Sequence, residues 1–515
     1  MTDKKDTASQ PGSGSAVIPR LSIMMFLQFF TWGAWFATLG LAMSNANLGP
    51  FIGPYYATIP LAAIFAPLFL GLVADRLFSS EKVFGVLMLV GGVIMLFMPG
   101  VSETASLTAN AQTAVQDQAL ALIVTANPGI EAEAASKMLA EQNSAANSSA
   151  NLLWWMILAY MLCYMPTLGL GNTIAFTHIT SADKFPIIRV WGTIGWIVAG
   201  LLIGFTMWDG KFTIFWLGGI SSLVLGMYCF ALPNTPPPLK GKPMDVRSIF
   251  MVDAFKLLGD WNFLVFAVCS TLVCIPLAYY YGSTSQFLGS TGFGAPAATM
   301  TLGQMSEILF MLLIPLMFRK LGVKNMILIG IAAWVIRYVL FSYGAPSQVT
   351  WMLLLAVVLH GICYDFFFVT GFMYTDQKAP KEIRGQAQSL LVFLTQGIGM
   401  YIGYKVMAAG NLFGVVPLGL KIGDYGEQVD KLPEFTNAVK AATEQGEAPT
   451  FLDTLLNMFN RTPIPESVDQ GLIDTTMGQW QNFWMLPAIF AAAVLILFAL
   501  LFWDKTVVGG SEDSK

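Results

Sequence analysis

Apolar residues in this chain come in blocks of about 20, the length a helix needs to carry it through the hydrocarbon core of a bilayer. Runs such as Leu68–Ala74 and Ala491–Trp503 lack the polar alternation by which a soluble domain separates an inner from an outer face. The bilayer is therefore part of this fold, and the fold class is an all-α membrane protein. Charged residues make up only 11% of the 515 positions, and the net charge of −4 includes no basic run or stripe. Nucleic acid is excluded as a partner on that ground, because neutralising phosphates requires clustered Lys and Arg.

Reading blocks of spanning length places twelve helices near 22–43, 51–74, 83–100, 151–176, 189–208, 212–232, 262–288, 296–318, 325–343, 350–375, 388–409 and 481–503. With the N-terminus inside, Arg76, Lys82, Lys184, Lys240, Lys242, Arg247, Lys256, Arg319, Lys320, Lys324, Lys378, Lys381, Arg384 and Lys505 all gather on the cytoplasmic side, and the short outer loops hold only Lys211. An odd number of spans would break this positive-inside pattern partway along, so both termini are expected in the cytoplasm of a multi-pass inner-membrane protein. All five cysteines lie inside apolar blocks, which implies no disulfide framework. The first apolar block is too long for a signal-peptide core and lacks a cleavage site, so it is expected to stay as the first span.

Pro233–Asp260, with Pro236, Pro237 and Pro238 followed by basic residues, divides the spans six and six. The expected organisation is a tail at 1–20, a first half at 21–232 with an outer insertion at 101–150, a linker at 233–260, a second half at 261–505 with an outer insertion at 411–478, and a tail at 506–515. The insertions read as helical caps, the first broken at Pro128-Gly129 and the second helical around Phe451–Phe459.

Ionisable residues inside spans cost roughly 2.5–3.5 kcal/mol each at a helix centre and call for compensation. Glu307, Arg337, Asp365 and Lys405 fall inside spans, with Arg189 heading the fifth. Gln304 and Glu307 share one helix face, and Tyr364 stands beside Asp365. A carboxylate there is tuned by burial against any nearby cation, which is what reversible proton carriage requires, although Glu307 could instead pair structurally with Arg337. In the first half, Arg189, Thr193 and Trp196 form one helix face and Gln28, Trp32 and Trp35 another. Such polar and aromatic stripes suit a ligand with a flat heterocycle and hydroxyls. The tryptophans could also belong to an interfacial belt, and Arg189 could be a cytoplasmic anchor. With two histidines, His178 and His360, and no metal or nucleophile motif, the chain offers little for bond-breaking chemistry, so it is read as no enzyme, with no cofactor and no metal.

Gly71-Leu72-Val73-Ala74-Asp75-Arg76 resembles the loop motif of the major facilitator superfamily, in which the Asp and Arg latch the two halves on the cytoplasmic side. The Gly-Arg-Arg part is replaced by Phe78-Ser79-Ser80-Glu81-Lys82. Phe26-Leu27-Gln28-Phe29-Phe30-Thr31-Trp32-Gly33-Ala34-Trp35, Tyr164-Met165-Pro166-Thr167-Leu168-Gly169-Leu170 and Phe185-Pro186-Ile187-Ile188-Arg189-Val190-Trp191-Gly192-Thr193-Ile194-Gly195 resemble the nucleoside:proton symporter family of that superfamily. So do Gln304-Met305-Ser306-Glu307, Ala333-Trp334-Val335-Ile336-Arg337 and Gly361-Ile362-Cys363-Tyr364-Asp365-Phe366-Phe367. The resemblance implies a major facilitator fold of twelve helices that alternates between inward- and outward-open forms and imports purine or pyrimidine nucleosides with protons. It implies that Arg189, Thr193, Gln304, Glu307, Tyr364 and Asp365 line the pathway, with Trp196 where the family carries Phe, and that Asp365 and Glu307 couple transport to protons. Span seven departs from the family, placing Ala278-Tyr279-Tyr280-Tyr281 where similar proteins carry amides. Tyr281 and Gln28 join the expected substrate contacts, and a sugar or other polyol symporter is the alternative. The expected partners are a nucleoside, a proton and membrane lipid around a single copy of the chain.

Overall fold

The computed structural model describes residues 17–503 apart from 70–72, 74–75, 127–146, 180–184, 238–246, 248–249, 381–382, 410–428 and 443–449. Among the described residues the regular structure is helical and follows the predicted spans in order. The first span is two helices, Val17–Gly33 and Leu39–Asn45, joined by turns over 34–38. Ile52–Tyr56 and Thr58–Phe69 form the second, followed by Ser80–Ala126, Ser148–His178, Phe185–Thr206 and Ile214–Cys229. The second half contains Trp261–Ser290, Pro296–Gly344, Thr350–Lys378, Arg384–Ala408 and Gln470–Leu501. Among the described residues, eight helices are long and apolar enough to cross a membrane, and Val17–Gly33 and Ile214–Cys229 are shorter apolar ones.

Pro296–Gly344 holds two predicted spans, the eighth and the ninth. An unbroken helix of its 49 residues would extend about 73 Å. Arg461 rules that length out, because its Nη1 donates both to Gln348 Oε1 at 2.9 Å and to the carbonyl of Thr291 at 3.5 Å, bringing the two ends of the segment together. The chain doubles back at Gly322, whose φ of 69° is the left-handed conformation that glycine adopts without Cβ strain.

Each half is a bundle in which the first span packs on the fifth, the third on the fourth and sixth, the seventh on the eleventh and twelfth, and the eighth and ninth on the tenth and twelfth. The halves meet where the fifth span packs on the eighth, the second on the eleventh, and Leu39–Asn45 on the seventh. The fifth–eighth contact and that of Leu39–Asn45 with the seventh lie toward the predicted outer ends and bring small residues together. A Cβ on Gly40 would stand 2.5 Å from the carbonyl oxygen of Gly282, and one on Gly200 would stand 2.5 Å from Thr301 Cγ2. Gly53 lies as closely against Ala408. Between the fifth and sixth spans, Asp209 crosses the boundary and its Oδ1 accepts the Ala297 N–H at 2.7 Å, satisfying a free donor at the start of the eighth span.

Two boundaries differ from expectation, the end of the third span and the start of the twelfth, which begins at Gln470 and not at 481. The third span does not end at 100 but continues as one helix to Ala126, because the Ala, Leu and Gln residues of the segment after Gly100 favour helix once the chain leaves the apolar run. Pro128-Gly129 lies outside the described residues. In the second insertion, Leu432–Ala442 packs on Leu39–Asn45 and on the twelfth span, and Phe451–Asn457 packs on the fifth and eighth. Lys440 Nζ donates to the Asn45 carbonyl at 3.3 Å. An insertion belonging to the second half in sequence therefore rests on both. At the other end, the Thr235 N–H donates to Glu81 Oε2 at 2.9 Å and ties the start of the linker to the third span, while Met251 and Ala254 pack with Ala379, Ala387 and Leu390 of the second half.

Candidate functional site

In the second half the tenth span carries Asp365 at the start of a π-helical turn, Asp365–Val369, a departure from α geometry that recurs at functional sites. Asp365 is fully buried, and neither carboxylate oxygen has a protein partner. On the eighth span Glu307 is 12% exposed, and Gln304, three residues earlier, is buried with Oε1 unpaired. Ser306 pins the eighth span to the tenth beside Glu307. Its hydroxyl donates to the Val358 carbonyl at 2.7 Å and accepts the Gly361 N–H at 2.9 Å. His360, fully buried, places Nε2 3.1 Å from Glu307 Oε1, with the oxygen off the line of the ring N–H. Its other nitrogen, Nδ1, is 3.1 Å from Arg337 Nη1. The Arg337 guanidinium, also fully buried, lies over the Tyr280 ring at 3.4 Å. Glu307 and Arg337 therefore do not pair directly; the imidazole stands between them.

Across the boundary, Arg189 on the fifth span lies over the Phe29 ring at 4.0 Å with Nη1 unpaired. The charges that act on Asp365 are Glu307 and Arg189, and Arg189 also acts on Tyr164 and Tyr364. The cation of one half thus faces the carboxylates of the other. One turn along from Arg189, Thr193 is buried at 5% exposure and Trp196 follows on the same face. Aromatic rings continue across the boundary. Trp32 meets Trp196 at 5.5 Å and Tyr164 at 5.6 Å, Phe36 meets Trp196 at 5.9 Å and Tyr281 at 5.2 Å, and Tyr281 meets His360 at 6.0 Å. His360 in turn meets Tyr364 at 6.0 Å. A cation, two carboxylates, unpaired amide and guanidinium groups and flat aromatic walls converge on one place between the halves.

Comparison with known proteins gives this arrangement its family. The model of the nucleoside H+ symporters matches residues 16–111 and 134–415. The chain belongs to that family. As a family member it is 37% identical over 399 residues to YegT of Escherichia coli (strain K12), covering 75% of this chain and 83% of that protein. It is 28% identical over 402 residues to the nucleoside permease NupG of the same organism, covering 75% and 85%. The crystal structure of the nucleoside transporter NupG superimposes with a TM-score of 0.65 over 95% of this chain and 100% of that one, at 24% sequence identity, and shares the fold.

Not every residue expected to meet the ligand of this symporter stands at that convergence. Gln28 is 1% exposed; its Nε2 donates to Thr167 Oγ1 at 3.1 Å and its carbonyl accepts the Tyr164 hydroxyl at 2.7 Å, so it joins the first span to the fourth. Trp35 is wholly buried against Tyr160 and Phe215, which places it in the bundle core and not in an interfacial belt. Of the span-seven residues, Ala278 packs against Gly403, Tyr279 against Phe483 and Tyr280 under Arg337, leaving Tyr281 to meet Phe36 of the first half. Ala278 and Tyr281 therefore face different neighbours in this arrangement. Lys405 is exposed, its ammonium near the Tyr401 ring, and stands apart from the site. Asp75 of the expected latch lies outside the described residues, and Arg76 follows it in a turn. Sequence reasoning did not place Phe36 or His360 in the site, although His360 stands four residues from Tyr364 on one helix face.

Proposed function

We propose that this chain imports nucleosides across the inner membrane in symport with protons by alternating access, with both termini in the cytoplasm. The observation that carries the reading is the confrontation, across the boundary of the two halves, of Arg189 with the partnerless carboxylate of Asp365 and with Glu307, inside a wall of Trp32, Trp196, Phe36 and Tyr281. Stacking surfaces suit a base, and hydroxyl, amide and carboxylate groups suit a ribose. The names of NupG and of the xanthosine permease of Escherichia coli (strain K12) agree with that ligand class. Arg189, Thr193, Trp196, Gln304, Glu307, Tyr364, Asp365 and Tyr281 are assigned to the pathway, and Gln28 to its support. Asp365 and Glu307 are assigned to proton coupling, since a carboxylate without a protein partner can exchange its proton with whatever enters. Asp75 and Arg76 are assigned to a cytoplasmic latch, and the chain is taken to work as a single copy.

Purified protein in lipid vesicles with an imposed pH gradient tests this. Labelled purine and pyrimidine nucleosides should accumulate in the alkaline lumen, competed by unlabelled nucleosides and not by hexoses. Hexose accumulation without nucleoside uptake would make the chain a sugar symporter, and accumulation driven by a sodium gradient alone would overturn proton coupling.

A further inference from the structure

Arg337 is fully buried. Its guanidinium covers Tyr280, Cys363 lies within its reach, and its Nη1 stands 3.1 Å from His360 Nδ1. A guanidinium has only donors and keeps its charge, so the atom it approaches must offer a lone pair. Nδ1 is therefore the acceptor, and the ring proton sits on Nε2, the nitrogen 3.1 Å from Glu307 Oε1. A second proton on Nδ1 would point at the guanidinium donors head-on.

We propose that His360 is a positioning residue for the proton-coupled cycle, fixed by Arg337 in the Nε2–H tautomer so that its N–H faces one oxygen of Glu307, whose side chain stays 12% exposed. This rests on reading the chain as a proton symporter. Neighbouring side chains fix the orientation of the ring, which stacks on Tyr280 at 5.0 Å and 21°, is edged by Tyr281 at 6.0 Å and 84°, and passes Gly303, whose Cβ would come within 2.9 Å of His360 Cβ. The groups facing this pair are Arg337 from the ninth span, Tyr280 and Tyr281 from the seventh, and Cys363, Tyr364 and Asp365 from the tenth, with Arg189 acting from the first half on Tyr364 and Asp365. Because the Glu307 oxygen is off the line of the ring N–H, a small change of the Glu307 side-chain torsions can straighten or lose the contact, which would make it dependent on conformation.

The test compares the pH dependence of nucleoside uptake by vesicles carrying wild type, His360→Gln and His360→Phe. A Gln amide can accept from Arg337 and donate to Glu307, whereas Phe keeps the ring and loses both contacts. His360→Phe should displace the half-maximal pH of uptake from the wild-type value, since both contacts are gone, and His360→Gln should restore it. Equal profiles for Gln and Phe, or an unmoved profile for Phe, would overturn the proposal. Nitrogen NMR of ¹⁵N-histidine-labelled protein carrying His178→Gln isolates one ring, because the chain has two histidines. A protonated Nε2 and a bare Nδ1 are expected, and a proton on Nδ1 would overturn the tautomer whatever the uptake results. Wild-type uptake indifferent to a pH gradient would instead sink the symport reading.

Discussion

Asp209 gives the outer contact between the halves a pH dependence that can be worked out in advance. Its Oδ1 accepts the Ala297 N–H, its Oδ2 is buried without a partner, and burial pushes the carboxyl from its ordinary 3.8 up to about 7, outweighing that bond. In the closed arrangement the group therefore holds its proton more tightly than it would in water. Closure is favoured fully below the ordinary value, loses support as pH rises from about 3.8 through about 7, and changes little above that. Between about pH 5.5 and about pH 8 the closed state should lose at most about 2 kcal/mol, roughly 30-fold in population, if Asp209 is released into water on opening. The figure is a ceiling because part of the side chain is already wetted. Spin labels at the exposed positions Thr104 and Ser347, one on each half, would report the distance between the outer ends across that range. The wild type should shift toward the longer distance as pH rises. Asp209→Asn keeps an acceptor for Ala297 and should flatten the response. A variant with the wild-type slope, or a wild type that opens as pH falls, would refute the reasoning.

Asp365→Asn should abolish uphill nucleoside accumulation while leaving counterflow exchange measurable, and normal accumulation would remove Asp365 from coupling. Tyr281→Phe should weaken nucleoside affinity by about 0.5–1.5 kcal/mol in competition uptake if a neutral hydrogen bond is lost, with Tyr281→Ala costing more; unchanged affinity in both would confine Tyr281 to packing. Arg189→Lys keeps the charge but loses the flat group over Phe29 and the donor fork, so KM should rise about tenfold, and a wild-type KM would favour a plain anchor. Gly40→Val drives a side chain into the Gly282 carbonyl and should leave the outer end unable to close, read as faster labelling of a cysteine at Thr301 by an impermeant maleimide.

The order of spans was legible because length and apolarity act on each segment alone, and the bilayer imposes them without reference to neighbours. Where a span breaks or overruns depends on local chemistry weaker than that signal, as at the turns over 34–38 and in the helix that continues to Ala126. Within the site, the carboxylates and Arg189 stood out as charges in apolar blocks. The aromatic and amide residues did not resolve in the same way, since a helix sends consecutive residues about 100° apart. Tyr279, Tyr280 and Tyr281 look alike in sequence and face the twelfth span, Arg337 and the first half in the structure. Gln28 shares a helical face with Trp32, yet one turn is enough to direct it to Thr167. His360 escaped notice because a histidine in an apolar run carries no mark of its partners until Arg337 and Glu307 are brought to its two nitrogens.

Where Gly40 meets Gly282 and Gly200 meets Thr301, the seam sets backbone against backbone and small side chains. Parting two leucine-lined surfaces would wet side chains at roughly 1.5–3 kcal/mol apiece, a toll that binding one small molecule could hardly meet many times over. Parting backbone from backbone mostly trades snug dispersion contacts for water that peptide groups welcome. The two orientations of such a molecule can then lie within a few kcal/mol of each other, a gap that one proton and one solute, each preferring a different orientation, are able to tip.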